Sequence, residues 1–312
     1  MSLRSRKFCS VTWLALLLAI SFCAARGEAA PAQQPAKKLK VYISVDMEGV
    51  AGTVTADQLG PGKFEYERFR EFMTRETLAA IRAAKEAGAT EILVSDSHGN
   101  GENLLIEEFP KDVRIIRSWP RRLEMMAGID GTFDAVIFIG YHASTNNMRG
   151  VRAHTFSSAR LTRVALNGLE MTEGSFNAAI AGHVGVPVIM MSGDDAAIAE
   201  VRSRLGNIEA AETKKTLGFH AANTLTPEAS YELIGEKVKA AFARLGEFKP
   251  YALKAPLTLD VTFKHYLPAE VLAYLRIIER TDSHSIRFRG SDMLEVADFI
   301  EFLTNYNLEL EP

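Results

Sequence analysis

Cysteine is nearly missing from this chain: there are two in 312 residues, and both, Cys9 and Cys23, precede Arg26. Everything after Cys23 therefore has neither a disulfide framework nor a thiol nucleophile. Basic charge is not in excess either. The 36 Lys and Arg face 39 Asp and Glu, which argues against a nucleic-acid binder built on a basic surface. A composition of 47% hydrophobic residues excludes a disordered polymer. No HExxH, GxSxG or P-loop occurs, and Gly99 and Gly101 lack the third glycine of a dinucleotide fingerprint. No apolar run approaches the roughly 20 residues of a membrane-spanning helix.

What is present begins with an address. Arg4, Arg6 and Lys7 precede an apolar run, VTWLALLLAISF, which is followed by Ala24, Ala25, Ala29 and Ala30. Basic, apolar and small residues in that order form a secretory signal peptide, here residues 1–30, with 31–38 as a flexible leader. The expected location is outside the cytoplasm, periplasmic or secreted, with no membrane span left after cleavage. Removal of Arg4, Arg6 and Lys7 takes the formal charge from −3 to −6, since Arg26 and Glu28 cancel. In such an acidic, cysteine-free chain, any metal site must be built from His, Asp and Glu.

From Leu39 onward, short β-rich apolar runs alternate with helical periods. The runs are Leu39 to Val45, Glu91 to Val94, Val113 to Ile116, Ala135 to Ile139 and Val186 to Met191. In the clearest helical segment, Phe69, Phe72, Met73, Ala80, Ile81 and Ala84 share one face. The alternation predicts an α/β fold, a mostly parallel sheet flanked by helices. Residues 39–249 read as the metal-binding catalytic domain. Residues 250–312 read as a small C-terminal β-α-β-α unit packed on it, opened by the half-buried strand period of Leu257, Leu259, Val261 and Phe263.

In open α/β sheets, ligand sites gather at the C-terminal ends of the strands. The first strand ends SVDMEG, which places Asp46 and Glu48 there; the second ends SDSHGN with Asp96 and His98; the fourth ends GYHA with His142. Single carboxylates at strand ends are usually caps, but three carboxylates and two imidazoles on one rim suggest a metal site. Mixed nitrogen and oxygen donors suit zinc, with manganese or cobalt as substitutes, and so many ligands suit two ions sharing a water. Asp96 is expected to orient a ligand imidazole. His154 and Glu173 are further candidates, although a carboxylate in a helix's first turn is favoured by the helix dipole alone. Asp194 and Asp195 read as helix caps. Arg117, Arg121 and Arg122 read as a solvated turn. His183, His220, His265 and His284 read as structural or surface residues.

The motif at 44–49 resembles the SxDxEG signature of the DppA-type zinc D-aminopeptidases. The resemblance continues through YERFREFMTRE at 66–76, SDSHGNGENL at 95–104, FIGYHA at 138–143, RAH at 152–154, GDD at 193–195 and SDMLE at 291–295. It implies a two-zinc aminopeptidase acting on short peptides or aminoacyl amides, assembled as a ring-shaped homo-oligomer. The metal ligands fall on Asp46, Glu48, His98, His142 and Glu173, and the catalytic histidine on His154, as general acid/base or as attacking group. Rival readings are another metal-dependent amidase or phosphoesterase on the same scaffold, and an exported solute-binding protein.

Overall fold

The computed structural model describes residues 38–306. The signal-peptide reading, and the leader up to Lys37, lie outside the described residues. The first strand, β1 (Leu39–Val45), is apolar on both faces because it runs through the middle of a sheet. Helix α1 (Tyr66–Glu86) follows, then β2 (Ala89–Asp96), β3 (Val113–Ile116) and β4 (Ala135–Tyr141). An antiparallel pair, β5 (Leu161–Leu166) and β6 (Leu169–Glu170), leads to α2 (Glu173–His183), β7 (Val188–Asp194) and α3 (Asp195–Leu205). Next come β8 (Glu209–Gly218), β9 (Ala221–Thr224) and α4 (Pro227–Ala243). The C-terminal elements are β10 (Leu257–Phe263), α5 (Tyr266–Leu272), β11 (Ile278–Arg280), β12 (Ser285–Gly290) and α6 (Met293–Asn305).

Seven strands form one sheet in the order β3-β2-β1-β4-β7-β8-β9, parallel except for the last. Each side of β1 feeds a different core. Val41, Ile43 and Val45 pack with Phe69 and Met73 of α1 and with Ile234 and Val238 of α4. Tyr42 belongs to a second cluster containing Phe176 of α2, Leu259 of β10 and Ile300 of α6. Each such fully buried apolar side chain contributes roughly 1.5–3 kcal/mol.

The C-terminal strands do not form a sheet alone. The order β11-β12-β10-β5-β6 joins them to residues 161–170 from the middle of the chain, with every pairing antiparallel. This second sheet shares its core with α2, α6 and the Tyr42 side of the first sheet, and the end of α6, at Thr304 and Asn305, lines the cleft beside the strand ends. No helix among the described residues is long and apolar enough to cross a membrane.

Candidate metal centre

The site is assembled by an unusually close approach of two chain segments. β1 ends at Val45, so Glu48 is not on the strand; it is carried by a turn closed by Val50 N donating to Met47 O at 3.2 Å. That turn lies directly on β4. Asp46 N donates to Ile139 O at 2.8 Å and Gly49 N to Gly140 O at 2.6 Å. A Cβ on Gly49 would fall 2.2 Å from Tyr141 O, and one on Gly140 (φ +72°) would fall 2.2 Å from Asp46 O. The glycine after Glu48 is thus fixed by contact between backbones, which brings Asp46 and Glu48 against His142.

Two further buried groups hold the turn. Lys214, from β8, donates through Nζ to the carbonyls of Glu48, Val50 (2.9 Å) and Thr53 (2.6 Å), and burial lowers its pKa to about 8 against the pull of Asp194 and Glu76. Glu76, from α1, accepts from Ala51 N at 3.0 Å and Ser230 Oγ at 2.7 Å, and burial raises its pKa to about 7. Neither residue was a sequence candidate. Lys214 sits in EAAETKKTLG, whose charged letters read as surface, yet it is 1% exposed. Its replacement by Met leaves three carbonyls without their donor, and a loss of about 2–4 kcal/mol is expected. A urea midpoint equal to that of the wild type would refute the role given to Lys214.

The sequence candidates converge. His98 Nδ1 lies 3.1 Å from Asp46 Oδ1 and 3.0 Å from Glu48 Oε2. His142 Nε2 lies 3.3 Å from Asp46 Oδ2 and 3.2 Å from Glu173 Oε2. His154 Nε2 is 3.9 Å from Glu173 Oε1, and its ring stacks on that of His142 with centroids 4.1 Å apart. Glu173 opens α2 behind the Thr172 cap, and its Oε1 also accepts from Phe156 N at 2.6 Å.

Each imidazole is oriented by a backbone carbonyl, which can only accept, so the nitrogen facing it carries the proton. His98 Nε2 donates to Leu59 O at 2.9 Å, His142 Nδ1 to Ala143 O at 3.0 Å, and His154 Nδ1 to Arg152 O at 2.8 Å. The opposite nitrogens of His98 and His142 face the carboxylates. This corrects the role expected of Asp96, which touches no imidazole. It accepts from the backbone of Asn103 and Leu104 and from Asn103 Nδ2, while the same Nδ2 donates to His98 O at 2.6 Å. Asp96 therefore fixes the loop, not the ring.

Burial alone would lower the His98 and His142 pKa values, but the surrounding carboxylates, Glu48 and Asp46 for His98 and Glu173 and Asp46 for His142, hold both well above the ordinary range. Burial would raise Glu48, yet His98 draws it well below the usual carboxylate value; His142 does the same, less strongly, for Glu173. Asp46 is raised, by burial first and then by Glu48. Three buried atoms in this cluster, Asp46 Oδ2, Glu48 Oε2 and His142 Nε2, have no hydrogen-bond partner. Asp46, Glu48 and His142 each offer a donor atom within 4.8 Å of the others, as do His142, His154 and Glu173. Orphaned carboxylate and imidazole donors converging in this way fit a divalent cation, which would satisfy all three.

Residues 39–302 match the family described as D-aminopeptidase. The chain belongs to this family. A D-aminopeptidase of Bacillus subtilis (strain 168) is 33% identical over 258 residues, spanning 82% of this chain and 93% of the relative. A solved structure from Bacillus subtilis, described as the Zn-dependent D-aminopeptidase DppA, a self-compartmentalizing protease, superposes with a TM-score of 0.81. It is 31% identical, covering 88% of this chain and all of the other.

Other readings resolve locally. Asp194 is the N-cap of α3, accepting from Ala197 N at 2.7 Å, and its second oxygen accepts from Val151 N on the loop to His154. Arg117 and Arg122 are exposed, as a solvated turn requires, but Arg121 is not part of such a turn. Its guanidinium lies 3.8 Å from the Trp119 ring centroid and donates to Ser95 Oγ and Asp96 O, so it braces the end of β2. The cluster opens into a cleft of about 480 Å³ whose walls include His98, His154, Glu173, Trp119 and Arg152.

Proposed function

We propose that this chain is a zinc-dependent aminopeptidase that releases N-terminal residues, with D-residues preferred, from short peptides or aminoacyl amides. The observation that carries the reading is the cluster of orphaned carboxylate and imidazole donors, its imidazoles oriented by backbone carbonyls, in a chain of the D-aminopeptidase family. Asp46, Glu48, His98, His142 and Glu173 would hold two ions. The chemistry such ions supply is Lewis acidity toward a carbonyl and toward water.

The chain's own residues do the rest. With Nδ1 committed to Arg152 O, His154 presents Nε2 beside Glu173 at the cleft, where it takes and returns the proton that the leaving amine needs. His142 and Glu173 stay in position behind it. Matched D- and L-aminoacyl amides and an N-acetylated D-amide test the reading with zinc-reconstituted protein. Turnover of the free D-amide, with little for its L partner and none for the blocked compound, is expected; equal turnover of the blocked amide would favour a general amidase.

Assembly and location belong to the same proposal. The α5 region exposes Tyr266, Leu267, Val271, Tyr274 and Ile277 beside an apolar groove of about 530 Å³, a surface that suits a protein partner. The partner is a second copy of this chain within a ring-shaped homo-oligomer, as the self-compartmentalizing relative supports. Export to the periplasm or medium is supported by the signal-like order of residues 4–30. A monomer in sedimentation equilibrium would remove the first part, and a cell-retained protein beginning at Met1 the second.

A further inference from the structure

One cation in the cleft lacks a counter-charge. Arg152 lines the cleft together with Glu48, His154 and Glu173. Its Nε is buried with no hydrogen-bond partner, and one terminal nitrogen meets only Nε2 of His220, at 3.3 Å. Its guanidinium carbon lies 5.0 Å from the Phe219 ring centroid. Among the described residues no carboxylate pairs with it, whereas Arg122, Arg244 and Arg287 each have an acidic partner at 2.7 to 2.8 Å. Arginine keeps its charge at any working pH, so a partly desolvated guanidinium without an anion is poised to receive one.

The position of Arg152 suggests which anion. Its backbone is fixed, with N donating to Phe219 O at 3.0 Å and O accepting from His154 Nδ1 at 2.8 Å. The guanidinium and the imidazole assigned to the leaving amine therefore belong to one three-residue segment, tied by these two hydrogen bonds. In a dipeptide the carboxylate is one residue beyond the scissile bond, and consecutive Cα atoms are about 3.8 Å apart. Arg160 lines the same cleft, but its Nη1 already donates to Thr304 O at 3.0 Å.

We propose that Arg152 is a specificity-determining residue that binds the free carboxylate of the leaving portion, selecting dipeptides and other very short peptides over amides. The proposal rests on the aminopeptidase reading. A planar guanidinium accepts a carboxylate through two parallel hydrogen bonds, a geometry that a neutral C-terminal amide cannot match.

The test compares D-alanyl-D-alanine with its C-terminal amide, using zinc-loaded wild type, Arg152→Met and Arg152→Lys. Wild type is expected to favour the free acid by about tenfold or more in kcat/KM, the order of a charge-assisted hydrogen bond. Arg152→Met should bring the ratio close to one, mainly through KM for the acid, and Arg152→Lys should recover part of it. Because both substrates meet the same preparation, any fraction of unfolded variant cancels from the ratio. A wild-type ratio near one, or an Arg152→Met protein that loses equally on both substrates, overturns the proposal and leaves the aminopeptidase reading standing. Wild-type protein that turns over neither compound, nor any free-amine amide, removes that reading and this inference together.

Discussion

A His154→Ala enzyme is expected to keep its metal and to lose about 10²–10⁴-fold in kcat, the usual contribution of a positioned acid/base. The loss follows from how the ring is held. Its Nδ1 is committed to Arg152 O, so Nε2 is the nitrogen left to exchange a proton, and the ring opens to the cleft while His142 behind it is 1% exposed. Alanine removes the proton carrier and leaves Asp46, Glu48, His98, His142 and Glu173 untouched. His154→Gln, which keeps hydrogen-bonding capacity but cannot exchange a proton, should lose as much. Atomic spectroscopy on the same samples separates the alternatives: full turnover with full metal would end the catalytic assignment. Loss of metal would instead place His154 among the ligands, as its 3.9 Å approach to Glu173 Oε1 permits.

Much of this architecture is legible in the sequence because the parallel strands are apolar on both faces and the helices carry one stripe. Strands β1 and β3 coincide with the apolar runs Leu39 to Val45 and Val113 to Ile116. Helix α4 follows its cap and its N1 proline. Among the strands that escaped, β8 and β9 lie at one end of the main sheet, where charged and small residues replace the apolar alternation that marks a strand. Strand β5 pairs with β10, some ninety residues away, and nothing local encodes that pairing.

The candidate ligands Asp46, Glu48, His98 and His142 were legible for a different reason. His, Asp and Glu at successive strand ends are costly to cluster without a cation, so their joint presence carries information that each alone lacks. What holds them was not legible. Sequence reasoning gave Asp96 the task of orienting an imidazole, since carboxylates often do so. Backbone carbonyls of Leu59, Ala143 and Arg152 perform it instead, and a carbonyl leaves no mark in a sequence. Lys214 was hidden by the opposite effect. Its type reads as surface, and only the fold shows three carbonyls converging on its ammonium.

An Asp46→Asn protein is expected to lose both metal ions and all measurable turnover, whereas Glu48→Gln should lose about one. Asp46 divides its two oxygens between two imidazoles, Oδ1 toward His98 Nδ1 at 3.1 Å and Oδ2 toward His142 Nε2 at 3.3 Å. Glu48 completes the His98 side and Glu173 the His142 side, at 3.0 and 3.2 Å. Two donor sets joined through one carboxylate would suit two ions, and the shared group is the one whose loss would harm both halves. Asparagine preserves shape while removing the charge and one oxygen donor. Protons compete for the same donors. The carboxylates that keep His98 and His142 protonated to higher pH than usual are those a cation must pair with, so ions displace protons and zinc affinity should rise from pH 6 to pH 8. Competition with a chromophoric chelator across that range, with metal counting on both variants, checks the whole scheme. An Asp46→Asn protein that still binds two ions would show that Asp46 does not join the halves.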